Sequence, residues 1–492
     1  MLYYISVMAD NKNYFVTTSI PYINGEPHVG HTYEFLVADV MARYARQKGK
    51  TVIFSTGTDE HGSKVQHKAA EQNKPPKQFA DEISAKWREI LPMLDISADR
   101  FIRTTDAGHE QRAALIWQAL AQHIYKGSYS GWYCAGCEEF VPDALAKKNE
   151  GNCPTHQKPY EKIEEENYFF KLSEFSDQIK DAITTGKYQI LPKTRRNEMQ
   201  SLIGGGLEDI SISRPKDKVS WGIGVPGDES QVMYVWFEAL MNYITVLGYP
   251  EHDDLKNFWP ADLHVIGKDI NKFHALIWPG MLLALGLELP KKLYVHGFVN
   301  IDNQKISKSL GNVIHPNEPV EKYGVDALRY YMLRHIPSYA DGEFTWELLT
   351  AAYNGELANE LGNAVSRTAA MIRKYQQSAI GDIPAPRHDT AEFDKAIESC
   401  RCDQALEVIW RQIKGLNRFI DEEKPWEIAK SDDKEHLKEV LATTVGDLLE
   451  ITNLLEPFMP AASAKIRQVF ESGVMRDLDQ PLFPRAEPAK QS

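Results

Sequence analysis

Residues 13–55 read NYFVTTSIPYINGEPHVGHTYEFLVADVMARYARQKGKTVIFS. Residues 14–20 are a β-rich run, residues 21–27 a turn built around Pro21, Asn24, Gly25 and Pro27, and residues 32–48 a helical pattern with apolar Phe35, Val40 and Tyr44. A second β-branched run follows at residues 51–55. Strand, helix and strand in so short a span form a βαβ crossover, which makes the two strands parallel. The expected fold class is therefore α/β with a parallel sheet.

Further along, strand-like runs return at residues 234–237, 263–266 and 293–299, each near a helical pattern, so the sheet is expected to resume there. Between the two halves, residues 127–165 carry cysteines, short charged stretches and turn formers, the pattern of an inserted small module. From Trp346 onward apolar residues recur at three- and four-residue spacing over residues 348–375, 394–422 and 434–455, which predicts a terminal helix bundle. Pro384 and Pro386 mark the break between two of its helices.

At 492 residues the chain is too long for one core, and about two to four domains are expected. With 43% hydrophobic and 25% charged residues it is neither disordered nor fibrous. Its 56 basic and 69 acidic side chains give a net charge of −13, so a polyanionic partner must meet a local basic patch. The longest apolar stretch, residues 275–287, is interrupted by Pro279 and is shorter than the roughly 20 residues a bilayer requires, so no membrane partner is expected. Residues 1–9 lack a cationic n-region and are read as the chain's beginning, not as a secretory signal. Five cysteines in such a length suit a reducing compartment, the cytoplasm.

Three strings carry chemistry. His28-Val29-Gly30-His31 stands where the first strand gives way to the first helix. A helix N-terminus there favours phosphate, the glycine admits a flat ring close to the backbone, and the imidazoles donate to phosphate oxygens. Lys305-Ile306-Ser307-Lys308-Ser309 follows the last strand-like run, and its two amines suit the charge that grows on a leaving pyrophosphate. Alone, each string is also what a solvated helix start or a surface loop looks like. The third is Cys134-x2-Cys137, fifteen intervening residues, then Cys153-x2-His156, which is zinc-knuckle spacing and predicts one closed, structural Zn2+ site. Cys400 and Cys402 have no such partners and are expected to be plain core or surface thiols.

Taken together, the first two strings resemble the paired signatures of class I aminoacyl-tRNA synthetases. Residues 14–31, Gly57-Thr58-Asp59-Glu60-His61-Gly62, Tyr234-Val235-Trp236, Gly267-Lys268-Asp269-Ile270 and His296-Gly297 narrow the resemblance to the methionyl-tRNA synthetases, over residues 13–460. The resemblance implies a Rossmann-type catalytic domain split by a zinc-containing connective insertion and followed by an α-helical bundle. Its division would be residues 1–119, first half of the catalytic domain; 120–220, insertion; 221–300, second half; 301–346, the K-x-S-K-S loop and stem-contact region; and 347–492, anticodon-binding bundle. It also implies the partners ATP, L-methionine and tRNA(Met), with Mg2+ accompanying ATP. His28, His31, Lys305 and Lys308 would be catalytic, and with Gly30, Gly267, Asp269 and His296 they would bind ATP.

Methionine is neutral and polarisable, so an apolar, aromatic pocket is expected. Asp59 would hold its ammonium, and Ile20 and Tyr22 would border it. Trp236, Leu240 and Tyr243 fall at i, i+4 and i+7, and Ile270, His274 and Trp278 at i, i+4 and i+8, so each set is expected to line one face of a helix. Gly224 stands where some relatives have an acidic residue near the ribose, which leaves Asp269 the larger share of ribose binding. Asn363, Arg367 and Trp426 would contact the anticodon, and Arg411, Lys414 and Arg418 form a basic stripe suited to phosphates. A monomer is expected, because no β-rich module follows the bundle. The other readings are a class I synthetase for leucine, isoleucine, valine or cysteine, and a zinc-containing nucleic-acid-binding protein. The insertion is too short for a hydrolytic editing domain, and the cysteines cluster away from any amino acid pocket.

Overall fold

The structure, a computed structural model, describes residues 12–487 apart from 137–138, 142, 155–156, 252–253, 302–303, 307–310, 386–387 and 479. Lys308, Cys137 and His156 therefore lie outside the described residues, and of Lys305 only the backbone is described. The chain groups into two compact units, one of Met1–Glu26, Lys50–Glu89 and Ala98–Val295, the other of Pro27–Gly49, Ile90–Ser97 and His296–Ser492.

The first unit is built on a six-stranded sheet of β1 (Asn13–Thr18), β2 (Thr51–Thr58), β3 (Arg100–Arg103), β4 (Gln189–Leu191), β5 (Leu263–Gly267) and β6 (Lys292–His296), in the order β3-β2-β1-β5-β6-β4. β1 pairs parallel with both β2 and β5, β2 with β3, and β6 with β4. The expected α/β parallel sheet is thus present. β1, β2 and β5 are buried along most of their lengths, as strands covered on both faces are. The strand order reverses between β1 and β5, and in such sheets ligands bind beyond the carboxyl ends of the strands at the reversal.

Residues 234–237 are not a strand: β pairing ends with Asp228–Met233, Tyr234 turns the chain, and Val235–Leu240 is helical. The apolar run continues unbroken through both, so composition alone does not show the switch. The strand-like run at residues 293–299 is two strands, because Gly297 interrupts it; a Cβ there would lie 2.3 Å from the Ala340 carbonyl oxygen. Gln189–Leu191, unmarked by pattern, is the edge strand β4.

The second unit holds α1 (Val29–Gln47) and the C-terminal helices, among them α2 (Val325–His335), α3 (Asn363–Gln376), α4 (Cys402–Glu423), α5 (Lys434–Leu455) and α6 (Pro460–Phe470). The run at 394–422 is broken at Cys400, whose φ is 54°, and both Cys400 and Cys402 are core residues. Among the described residues no helix is long and apolar enough to cross a membrane.

Candidate functional site

In the first unit, the segments leaving β1, β2 and β5 carry the expected amino acid pocket. β1 and β2 stay paired past their ends: Tyr22 and Asp59 form a parallel bridge, with Asp59 N donating to Pro21 O (2.9 Å) and Ile23 N to Asp59 O (3.1 Å). That backbone pairing, beyond half-buried Ile20, sets a phenol beside a buried carboxylate. Lys64 Nζ lies 5.4 Å from the Tyr22 ring. After β5, buried Gly267 leads into a tight turn of Lys268–Ile270, on which Asp269 is exposed.

The two expected helix faces do not exist as continuous helices. Val235–Leu240 and Asn242–Thr245 are separate short helices, and residues 268–284 run from a 3₁₀ turn through a π-helical stretch, Phe273–Ile277, into an α-helix. A π turn takes more residues per revolution than an α turn, so i, i+4, i+8 counting fails. The chosen side chains nevertheless converge. Tyr243 Oη lies 2.7 Å from His274 Nε2, and the Tyr243 ring lies 5.7 Å from that of Trp278. Leu240 and Trp278 are core, while Ile270 is half-buried against the same cluster.

His274 Nδ1 lies 3.1 Å from the Ile270 carbonyl oxygen, which can only accept, so Nδ1 carries the proton and Nε2 accepts from Tyr243. Burial pushes His274 down to about 4 against the opposing effect of the Ile270 hydrogen bond, so the ring is neutral. Burial, reinforced by repulsion whenever His274 is protonated, also holds His264 well below its ordinary value; its ring lies 4.3 Å from Tyr243, and its Nδ1 lies 2.7 Å from Thr17 Oγ1. Phe273, stacked on Trp236 at 4.0 Å, was missed because only helical spacing was counted. Unfolded imidazoles titrate near about 6.5, so the unfolded chain takes up protons that these rings refuse. Stability is therefore expected to fall as pH is lowered from about 6.5 toward about 4, by up to about 1.4 kcal/mol per pH unit for each ring. Urea midpoints at several pH values check this, and His274→Gln should flatten the profile.

The second unit holds the two strings expected to bind phosphate. α1 begins at Val29, three residues before the sequence pattern places it, because His28 caps it: the His28 backbone N–H donates to His31 Nδ1 (3.1 Å) and the two rings stack at 3.6 Å. An accepting Nδ1 puts the proton of a neutral imidazole at His31 on Nε2. The two distant strings meet here. A Cβ on Gly30 would lie 2.9 Å from Ile306 Cδ1, inside the K-x-S-K-S string, and Val29 N donates to Ile314 O (2.9 Å). His296 Nε2 lies 3.1 Å from Glu34 Oε2, one turn into α1.

The bundle brings Arg367 to Trp426, guanidinium to ring centroid 5.9 Å, with Asn363 exposed one turn earlier. Arg367 also pairs with Asp421 at 2.6 Å. The basic stripe is largely neutralised: Arg411 pairs with Glu392 (2.6 Å) and Lys414 faces Glu360 (3.7 Å). In the insertion, Cys134 ends the strand Ile124–Cys134 and Cys153 sits in a loop closed by the Asn152–Pro159 bridge. Both are buried in one small cluster with Val141, Ala146 and Tyr160, which suits paired thiolate ligands.

Residues 14–369 match the family model "tRNA synthetases class I (M)". The chain is 42% identical to the methionine–tRNA ligase of Caldanaerobacter subterraneus subsp. tengcongensis over 483 residues, covering 95% of this chain and 75% of that protein. It is 39% identical to the ligase of Brucella melitensis over 477 residues, covering 93% of this chain and 92% of that one. Its structure resembles that of Mycobacterium tuberculosis methionyl-tRNA synthetase in complex with methionyl-adenylate, with a TM-score of 0.88, 34% identity, and coverage of 96% and 100%. A parallel sheet with its strand-order reversal, two signature strings meeting at Gly30, and identity at this level over nearly the whole chain lead to one conclusion: the chain belongs to the methionine–tRNA ligases of the class I aminoacyl-tRNA synthetases.

Proposed function

We propose that this chain activates methionine with ATP and passes it to the 3′-terminal adenosine of tRNA(Met). A methionine carboxylate oxygen attacks the α-phosphorus, a P–O bond to the leaving pyrophosphate breaks, and methionyl-adenylate forms. A ribose hydroxyl then attacks the activated carbonyl and releases AMP. The observation that carries the reading is the meeting of His28-x-Gly30-His31 with the K-x-S-K-S string through Gly30 and Ile306.

In this reading His28 and His31 bind phosphate oxygens, Gly30 leaves room for adenine, Lys305 and Lys308 meet the pyrophosphate, and Asp269 takes the ribose hydroxyls with help from Gly267 and His296. Asp59 holds the ammonium, while Ile20, Tyr22, Trp236, Leu240, Tyr243, Ile270, His274 and Trp278 enclose or support the thioether side chain. A neutral His274 suits that end, since a buried cation there would be poorly solvated beside sulfur. Mg2+ accompanies ATP and offsets phosphate charge. Cys134, Cys137, Cys153 and His156 would hold zinc, which cross-links the small insertion; a closed shell leaves no place for activated water. We assign the bundle to the anticodon through Asn363, Arg367 and Trp426, keep the five-part division of the chain given above, and read a cytoplasmic monomer.

Pyrophosphate exchange into ATP, run with each amino acid in turn, tests the function. Methionine alone should drive it, and exchange driven by leucine or cysteine instead would overturn the reading. Trp426→Ala is expected to leave exchange within about twofold and to lower tRNA charging by roughly ten- to hundredfold, the loss of one stacked base. Equal losses in both reactions would make the tryptophan structural.

A further inference from the structure

Within the first unit, one buried hydrogen-bonded chain runs through four side chains to which the reaction gives no task. Glu238, fully buried, accepts at Oε1 from His61 Nδ1 (2.9 Å) and at Oε2 from His109 Nε2 (3.1 Å). The other ring nitrogen of His109 lies 2.8 Å from Thr245 Oγ1. All four residues are at most 3% exposed.

Their positions in the chain explain what they join. His61 is two residues past Asp59, Glu238 two past Trp236, and Thr245 two past Tyr243. The three segments they belong to are separate: a loop after β2, the helix Val235–Leu240 and the helix Asn242–Thr245. His109 comes from a fourth, Ala107–Ala119, and contributes no expected pocket residue. Both Glu238 oxygens are occupied, so neither wall can move along the chain without leaving a buried carboxylate oxygen unsatisfied. The contact is also ionic. Burial works against charging His61, but the Glu238 carboxylate, which also accepts its hydrogen bond, and the nearby Glu110 and Asp59 carboxylates together push it up to about 10. Glu110 Oε1 lies 3.7 Å from its Nε2.

We infer that Thr245–His109–Glu238–His61 is a positioning network that fixes the separation between the ammonium-binding carboxylate of Asp59 and the aromatic wall of Trp236 and Tyr243, and so sets the length of amino acid accepted. The inference rests on reading that pocket as the amino acid site. In this reading none of the four touches substrate: His61, Glu238 and Thr245 act through the residues two positions before them, and His109 joins Glu238 to Thr245.

The test is amino-acid-dependent pyrophosphate exchange with the full chain, unaltered and as Thr245→Val, Thr245→Ser and Glu238→Gln. Thr245→Val keeps the shape and deletes the hydroxyl. It should raise the KM for methionine about tenfold, leave the KM for ATP within about twofold, and narrow the preference for methionine over ethionine, one methylene longer. Thr245→Ser should restore the unaltered values. Glu238→Gln should move the same constants further, and if it does not fold, the threonine pair decides. A fall in kcat with the methionine KM unchanged, both KM values rising together, or a serine variant as impaired as the valine one would overturn the network. An unaltered chain that exchanges with a different amino acid would remove the methionine reading alone, and the threonine series would then be judged by that amino acid's KM.

Discussion

Lys308→Ala is expected to slow methionyl-adenylate formation about a thousandfold while changing the KM for ATP by less than about threefold. The triphosphate is already charged when it binds, so several groups share its ground-state attraction. What changes along the reaction is the bond from the α-phosphorus to the bridging oxygen: as it lengthens, negative charge accumulates on the departing pyrophosphate. An ammonium placed for that oxygen gains most of its interaction in the transition state, and its removal is felt in kcat. The nearest described neighbour in the string is Ile306, two residues earlier in the sequence, and it meets Gly30, which stands between the two imidazoles at the start of α1. Single-turnover adenylate formation measured across ATP concentrations separates the two effects. Equal losses in rate and in ATP affinity would make Lys308 a binding group only.

How much of this was readable beforehand depended on the distance over which each signal acts. The βαβ unit was legible because residues 13–55 contain both strands and their crossover, and strands buried on two faces announce themselves by β-branched runs. The H-x-G-H and K-x-S-K-S strings were legible as compact family signatures. The start of α1 was not, because the capping group is His31, outside the usual Ser, Thr, Asp and Asn at the first position with Glu or Gln three later. β4 escaped notice because three residues hold no period. Tyr243, His274 and Trp278, expected together, do converge, but the geometry that brings them there was not legible, since a π-helical stretch and a helix break at Met241 overturn simple spacing. The Glu238 network was invisible for another reason: its bonds span 129 to 177 residues, and nothing local distinguishes a buried glutamate from a solvated one until its partners are known.

A similar buried group governs the second prediction, Arg329→Met, which is expected to lower stability by about 3–5 kcal/mol. Arg329 is fully buried on α2. Its guanidinium donates to Asp39 Oδ2 on α1 (2.7 Å) and to the carbonyl oxygens of Phe458 (2.7 Å), Pro457 (2.9 Å) and Leu94 (3.0 Å). One side chain thus satisfies polar groups from three otherwise separate stretches of the second unit. Methionine fills much of the space and supplies no donor, leaving a buried carboxylate with Arg43 and Ser97 alone, and three carbonyls unsatisfied. Burial by itself raises Asp39, and the charges of Arg329 and Arg43 reverse that, holding it below its ordinary value. In the unaltered chain this contributes stability above about pH 4 that is lost as pH falls through the depressed value. Without Arg329 the balance tips toward burial and the carboxyl moves up, so the variant's deficit should shrink between pH 7 and pH 4 as Asp39 takes up its proton. Urea midpoints of both chains at the two pH values measure it. Asp39→Asn combined with Arg329→Met should lose less than the sum of the single losses, because the unpaired buried charge is then gone. A deficit below about 1 kcal/mol at pH 7, or one that grows on acidification, would mean that water enters the site and solvates Asp39 in place of the guanidinium.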